Sequence, residues 1–338
     1  MKFKLYIIIA YFLVLCEIDA FSQYVQFSQF YAAPTALAPS FTGMTTKSRI
    51  NAIYRDQWAK LKGVFVTYAL GYDFHVSKIN SGFGVLLIND EAGQGNLRRT
   101  EFGVLYSWYG LLDNTYKIYF RPGVEFKLTQ RSVDIQKLIF PSHIKPDGTL
   151  IENPVYPQPA DINKLNVDAT ASVLFYSPVF WIGLTIDHLF RPSDGFYDPT
   201  YKVPLKYSFY GGYKWKMSKR SRGSSSAEDW FFVSYHYRLM ALSDQLDIGG
   251  YWEHDPFVLG VWVRGMPYLN IDKSKGVDAV IFLAGYKILN FKIGYSYDLP
   301  VNTLLTTAGG THEISLTYTF APLLRGKKRY APIPCPKL

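Results

Sequence analysis

The sequence predicts an all-β protein, a transmembrane antiparallel β-barrel of about fourteen strands. Three observations lead there. Apolar and polar residues alternate with a period of two through segment after segment, most of them roughly 10–14 residues long, where soluble strands average about five or six. The chain is 17% aromatic, with 27 Tyr and 24 Phe. Short and long links between the segments also tend to alternate. Composition closes off the rivals. A mean hydropathy of −0.02 with 19% charged residues, and no run of about 18 uncharged apolar residues beyond the N-terminus, exclude a polytopic helical membrane protein. Such aromatic content is the opposite of a disordered chain.

Residues 1–22 read as a secretory signal peptide. Lys2 and Lys4 form its positive start, Leu5 to Leu15 its apolar stretch, and Ala20 and Ser22 offer small residues for cleavage. Bulky Leu15 before Cys16 argues against lipidation. Its removal takes away two cations and two anions, so the net charge stays at +9, and Cys335 is left without an intramolecular partner. Residues 23–46 form a periplasmic or plug-like segment. Its apolar side chains, Phe27, Phe30, Tyr31 and Phe41, need a surface to cover them, and the lumen is the nearest.

The barrel is expected over 47–320. Its strands are placed near 47–58, 64–75, 81–90, 98–110, 115–128, 166–177, 180–189, 204–217, 228–239, 244–253, 256–265, 277–287, 290–299 and 311–320. In the last, Ile314, Leu316, Tyr318 and Phe320 oppose Glu313, Ser315, Thr317 and Thr319. One face therefore meets lipid and the other the lumen. The lumenal set includes Lys117, Arg121, Glu125, Asp187, Lys206, Lys214, Lys292, Asp298 and Glu313, whose mixed signs predict pairing rather than a single-sign ion channel. Aromatics near strand ends, including Tyr54, Trp58, Trp108, Tyr109, Trp181, Trp215, Trp230, Trp252 and Trp262, are expected in interfacial girdles.

With a periplasmic N-terminus, the short links fall on the periplasmic side and the long ones outside. The longest outer link, about 37 residues from Thr129 to Leu165, carries five prolines and is expected to fold into the mouth or lumen. Met217 to Glu228 breaks the rule as a long inner turn, and Met240 to Ser243 as a short outer one. The inner turn is basic at Lys219, Arg220 and Arg222. So is the tail 321–338, at Arg325, Lys327, Lys328 and Arg329. Both are candidate docking surfaces for acidic periplasmic proteins or anionic lipid headgroups. Nucleic acid is a poor partner for an exported chain.

No enzyme signature is present: there is no G-x-S-x-G, H-E-x-x-H, Walker loop or dinucleotide fingerprint. No cofactor is implied, and thiolate metal sites lack their cysteines. Asp73 and His75 share a strand face and are the best candidate acid–base pair; a structural pairing is the simpler reading.

Four motifs carry a family resemblance. They are Gln26-Phe-Ser-Gln-Phe-Tyr31-Ala-Ala-Pro34, Leu37-Ala-Pro39-Ser-Phe-Thr-Gly43 with Tyr54-Arg55-Asp56-Gln57-Trp58, Gly294-Tyr-Ser-Tyr-Asp298, and Gly309-Gly-Thr-His-Glu-Ile-Ser-Leu316. Together they resemble the PorP/SprF family of outer-membrane proteins of the type IX secretion and gliding system, with Ala38-Pro39-Ser40 where that family more usually carries asparagine-proline-alanine. The resemblance implies a non-enzymatic barrel that helps export or surface anchoring of a partner adhesin and works with other secretion components in the periplasm and outer membrane. It makes Gln26, Phe27, Phe30, Tyr31, Pro34, Arg55 and Trp58 candidate plug or partner-binding residues. The rival reading is a transporter of hydrophobic small molecules resembling the fatty-acid uptake barrels.

Overall fold

The structure, a computed structural model, describes residues 25–61, 63–151, 162–196, 200–217, 229–241, 243–265, 276–301 and 309–321. The strands are β1 (Ser48–Asp56), β2 (Val64–Val76), β3 (Ser81–Gly93), β4 (Leu97–Trp108), β5 (Gly110–Asp113), β6 (Ile118–Ser132), β7 (Asn163–Tyr176), β8 (Phe180–Asp187), β9 (Lys206–Lys216), β10 (Asp229–Met240), β11 (Ser243–His254), β12 (Phe257–Gly265), β13 (Val277–Ile288), β14 (Phe291–Pro300) and β15 (Thr311–Phe320). Each long strand pairs antiparallel with its sequence neighbours, and β15 returns to β1 with Ser48 opposite Phe320. β4 pairs with β6 from Arg98↔Ser132 to Ser107↔Gly123, passing over β5. The result is a closed barrel of fourteen strands. β5 pairs only with the foot of β6 and stays outside the closure.

Closure leaves no unpaired edge in the wall, and this is what allows strands to cross a hydrocarbon layer that cannot satisfy backbone polar groups. The alternation in the sequence becomes two faces. On β15, Ile314 and Leu316 are exposed while Glu313, Ser315 and Thr317 are buried. On β4 and β6, Val104 and Phe126 are exposed register partners, flanked by buried Leu105 and Glu125. Apolar side chains pointing outward along strand after strand form the surface a lipid chain solvates.

Two ends are distinguishable. The terminal end carries Ser48 and Phe320, together with the short turns 77–80, 177–179, 255–256 and 289–290. The opposite, loop end carries 133–162 and 188–205. The former link is shorter than the sequence predicts, because β6 and β7 extend to Ser132 and Asn163. Its described part makes two 3-10 turns, Ile135–Lys137 and Pro141–His143, and Asp134 N donates to Gly95 O at 2.9 Å. This part thus packs on the neighbouring β3–β4 turn.

Four girdle aromatics are corrected. Trp108, Trp215 and Trp252 face outward, but Trp181, Trp262 and Tyr109 are buried inside, and half-buried Trp230 shares the inward face of Phe232 and packs against that core. Parity is the cause. Trp262 lies one residue from outward Val261 and two from inward Arg264, and Trp181 shares its face with Asp187. Lys117 also leaves the lumenal set. It lies exposed in the turn before β6 with φ 53°.

Candidate functional site

The lumen is filled by the chain's own residues 25–46, which pass from the loop end to the terminal end before becoming β1. Val25 and Gln26 lie among Gln57, Trp58, Arg99 and Arg131 at the loop end, where the Gln26 amide donates to Gln245 Oε1 at 2.8 Å. The segment then makes three successive attachments.

The first is an ionic lock around Ser28. Its backbone N donates to Glu313 Oε2 at 2.8 Å and its hydroxyl to Asp298 Oδ2 at 2.6 Å. Gln29 N donates to the other Glu313 oxygen at 2.7 Å. Arg55 reaches the Ser28 hydroxyl at 2.8 Å, Glu313 at 2.9 Å and Asp298 at 3.2 Å. Arg264 adds bonds to Asp298 at 2.8 Å and to Ser28 Oγ at 3.0 Å, then reaches Asp247 at 3.2 Å. Arg238 closes the row on Asp247 at 2.8 Å. Three guanidinium groups thus face three carboxylates. Away from water such charges are tolerable only when paired and hydrogen-bonded, so each partner enforces the others.

The second is aromatic. Phe30 packs edge-on to Trp262 with ring centroids 4.9 Å apart, and Tyr31 edge-on to Trp181 at 5.8 Å. The Trp181 indole N–H donates to the Tyr31 hydroxyl at 3.1 Å, which gives the buried ring its polar partner. Phe27 is also buried. Pro34 opens a single helical turn, Pro34–Leu37, where its missing N–H is no loss. Asn51 Nδ2 holds the Ala32 carbonyl at 2.8 Å.

The third attachment is at the terminal end. Gly43 N donates to Asp73 Oδ2 at 2.6 Å, and Arg49 grips both oxygens of Asp73 at 2.8 and 3.0 Å. Ser107 Oγ donates to Thr42 O at 2.7 Å, and Arg121 donates to the same carbonyl. The backbones approach closely here: a Cβ on Gly82 would lie 2.1 Å from Thr42 O, and one on Gly123 would lie 2.3 Å from Ser40 N. Only glycine fits at either contact.

Of the residues singled out in the sequence, Gln26, Phe27, Phe30, Tyr31, Pro34 and Arg55 are brought together in the lumen. Trp58 sits in the link after β1 at φ 57°, edge-on to Phe65 at 5.2 Å. It borders a loop-end cavity of about 210 Å³ with Gln26 and Arg55. Lys219, Arg220, Arg222, Arg325, Lys327, Lys328 and Arg329 lie outside the described residues, as do residues 1–22 and the tail beyond 321. Asp73 is committed to Arg49 and Gly43, while the His75 ring packs on Tyr109 at 5.3 Å, so the two do not form an acid–base pair. Other lumenal charges pair as well, with Asp187 bonded to Lys127 at 3.2 Å and Lys206 at 2.7 Å.

Arg264 and Asp247 were missing from the sequence-derived set. Arg264 had a signal, since it alternates with the apolar Val261 and Val263 on the outward parity. Ser28 lay within a motif, but its partners are 270 and 285 positions away.

A closed barrel of fourteen antiparallel strands, with an apolar outer face and a polar interior occupied by its own N-terminal segment, defines an outer-membrane β-barrel protein. Its motifs at Ser28, Arg55, Asp298 and Glu313 converge on a single lock. The chain belongs to the family of type IX secretion system membrane proteins, PorP/SprF, which it matches over residues 20–318. No curated protein sequence matches it. Among solved structures it is similar to the outer membrane protein Omp33 of Acinetobacter baumannii, at 7% identity over 82% of this chain and 100% of that one, with a TM-score of 0.40. It is also similar to a mutant of the Rh. blastica porin, at 9% identity over 81% and 99%, with a TM-score of 0.33.

Proposed function

We propose that this barrel is a non-enzymatic scaffold of the type IX apparatus that helps a partner adhesin to be exported or anchored at the surface. The carrying observation is the lumenal lock, in which Arg55, Asp298 and Glu313, from three other motifs, hold the N-terminal segment through hydrogen bonds to Ser28 and Gln29. A lumen filled in this way suits a plugged support better than a passive conduit. The segment acts as the plug. The terminal end faces the periplasm, and the basic turn 217–228 and the tail 321–338 dock machinery there by charge attraction.

Deleting residues 323–338 tests the docking role. Barrel folding, read as heat-modifiable migration, is expected to survive, and adhesin export to fall. Unchanged export would remove the tail from the docking surface. Co-purification of the intact protein from outer membranes identifies the chains it holds, and recovery of no secretion component would overturn the scaffold reading.

A further inference from the structure

A second loop-end cavity, of about 110 Å³, lies between the N-terminal segment and the wall of β9, β10 and β11. Its segment side is apolar except for Gln26, and is made mainly by Phe27, Phe30, Ala33, Ala36 and Leu37. Its wall side is rich in donors: Lys206, Ser208, His236 and Arg238, with Met240 above them. His236 is 5% exposed, and neither ring nitrogen has a hydrogen-bond partner. Arg238 spends Nη2 on Asp247 at 2.8 Å and leaves a buried Nε without a partner. Unmet polar groups beside an apolar floor are costly unless a ligand or water answers them. The link between β10 and β11 spans only residues 241–242, so the wall there carries no long loop above the cavity.

We infer that this cavity is a binding site for a carboxylate carried on one small apolar group. Arg238 Nε–H and His236, each brought to the cavity surface by a small turn of its side chain, would donate to the carboxylate, and Phe27, Phe30 and Leu37 would cover the apolar part. An enclosed cavity near 150 Å³ holds a single benzene ring; this smaller one is partly open, so it takes one side-chain-sized group, with part of it at the mouth, and not a long acyl chain. The carboxylate fits better than an ammonium because Lys206 and Arg238 Nη2 are already answered by Asp187 and Asp247, and Arg238 Nε–H, left unpaired on this wall, can only donate. Two sources share this chemistry, a free small acid and the C-terminal residue of a polypeptide.

The test uses the full-length protein in detergent with four probes: phenylacetate, phenethylamine, N-acetyl-glycyl-phenylalanine and its C-terminal amide. Binding is read by ligand-observed saturation-transfer NMR and titration calorimetry. Phenylacetate is expected to bind and phenethylamine not to. Ala36→Phe, which fills the cavity from the segment side, and Arg238→Met are each expected to weaken phenylacetate by about tenfold or more. Binding of the peptide acid but not its amide assigns the site to chain ends, and binding of phenylacetate alone assigns it to free acids. Equal binding of phenethylamine, binding unchanged in Ala36→Phe, or no binding of either acid overturns the proposal. Should a variant fail to fold, the comparison of phenylacetate with phenethylamine on the unaltered protein still decides. None of these outcomes depends on adhesin export.

Discussion

The hydroxyl of Ser28 donates to Asp298 at 2.6 Å, joining residues 270 positions apart across the lumen. The same hydroxyl accepts from Arg55 and Arg264, so one small side chain on the N-terminal segment touches two guanidinium groups and a carboxylate of the wall.

Replacing Ser28 by Ala removes those bonds but keeps the backbone contact to Glu313. Loss of about 1–3 kcal/mol is expected, because charged neighbours lose a hydrogen-bond partner in a dry setting. Urea unfolding in detergent or lipid, followed by tryptophan fluorescence, measures it.

Arg55→Ala is expected to cost more, about 3–5 kcal/mol, since it strands Glu313 and Asp298 with fewer counter-charges. A double-mutant cycle with Ser28→Ala is expected to show coupling of about 0.5 kcal/mol or more, and strict additivity would mean that the two act separately.

The close contacts at the terminal end make a sharper prediction. Gly123→Val puts bulk where a Cβ alone would lie 2.3 Å from Ser40 N, so the segment is expected to shift while the wall retains its pairing. Planar-bilayer recordings are expected to show larger or more frequent conductance than the unaltered protein. Conductance unchanged in a folded variant would mean that the wall yields instead.

The outer face makes an independent prediction. Val104 points outward and is 52% exposed. Val104→Arg is expected to destabilise the barrel in bilayers by about 2–4 kcal/mol if the site is near the midplane. A loss of only a few tenths would place Val104 near an interface.

Much of this fold was legible in the sequence because a strand with one face in lipid and one in a polar interior must alternate. The segments read at 64–75 and 311–320 became Val64–Val76 and Thr311–Phe320. The same rule, carried through each strand, would have turned Trp181 and Trp262 inward with Asp187 and Arg264; their proximity to strand ends misled. The lock was only half legible. Asp298 and Glu313 could be placed on the lumenal face, but Ser28 lies in a segment without periodicity, and its partners are set by barrel closure. β5 had no signal of its own, because Leu111 to Asn114 read as a short periplasmic turn after a strand ending at 110.

The route of residues 25–46 has a consequence for how the molecule is put together. The polypeptide goes in beside Gln245 and comes out beside Gly82 before it turns into the first stave. Arg55 and Glu313 face each other across the seam between the first and last staves, and both hold Ser28 of the thread inside. The thread therefore braces, from within, the joint that closes the cylinder.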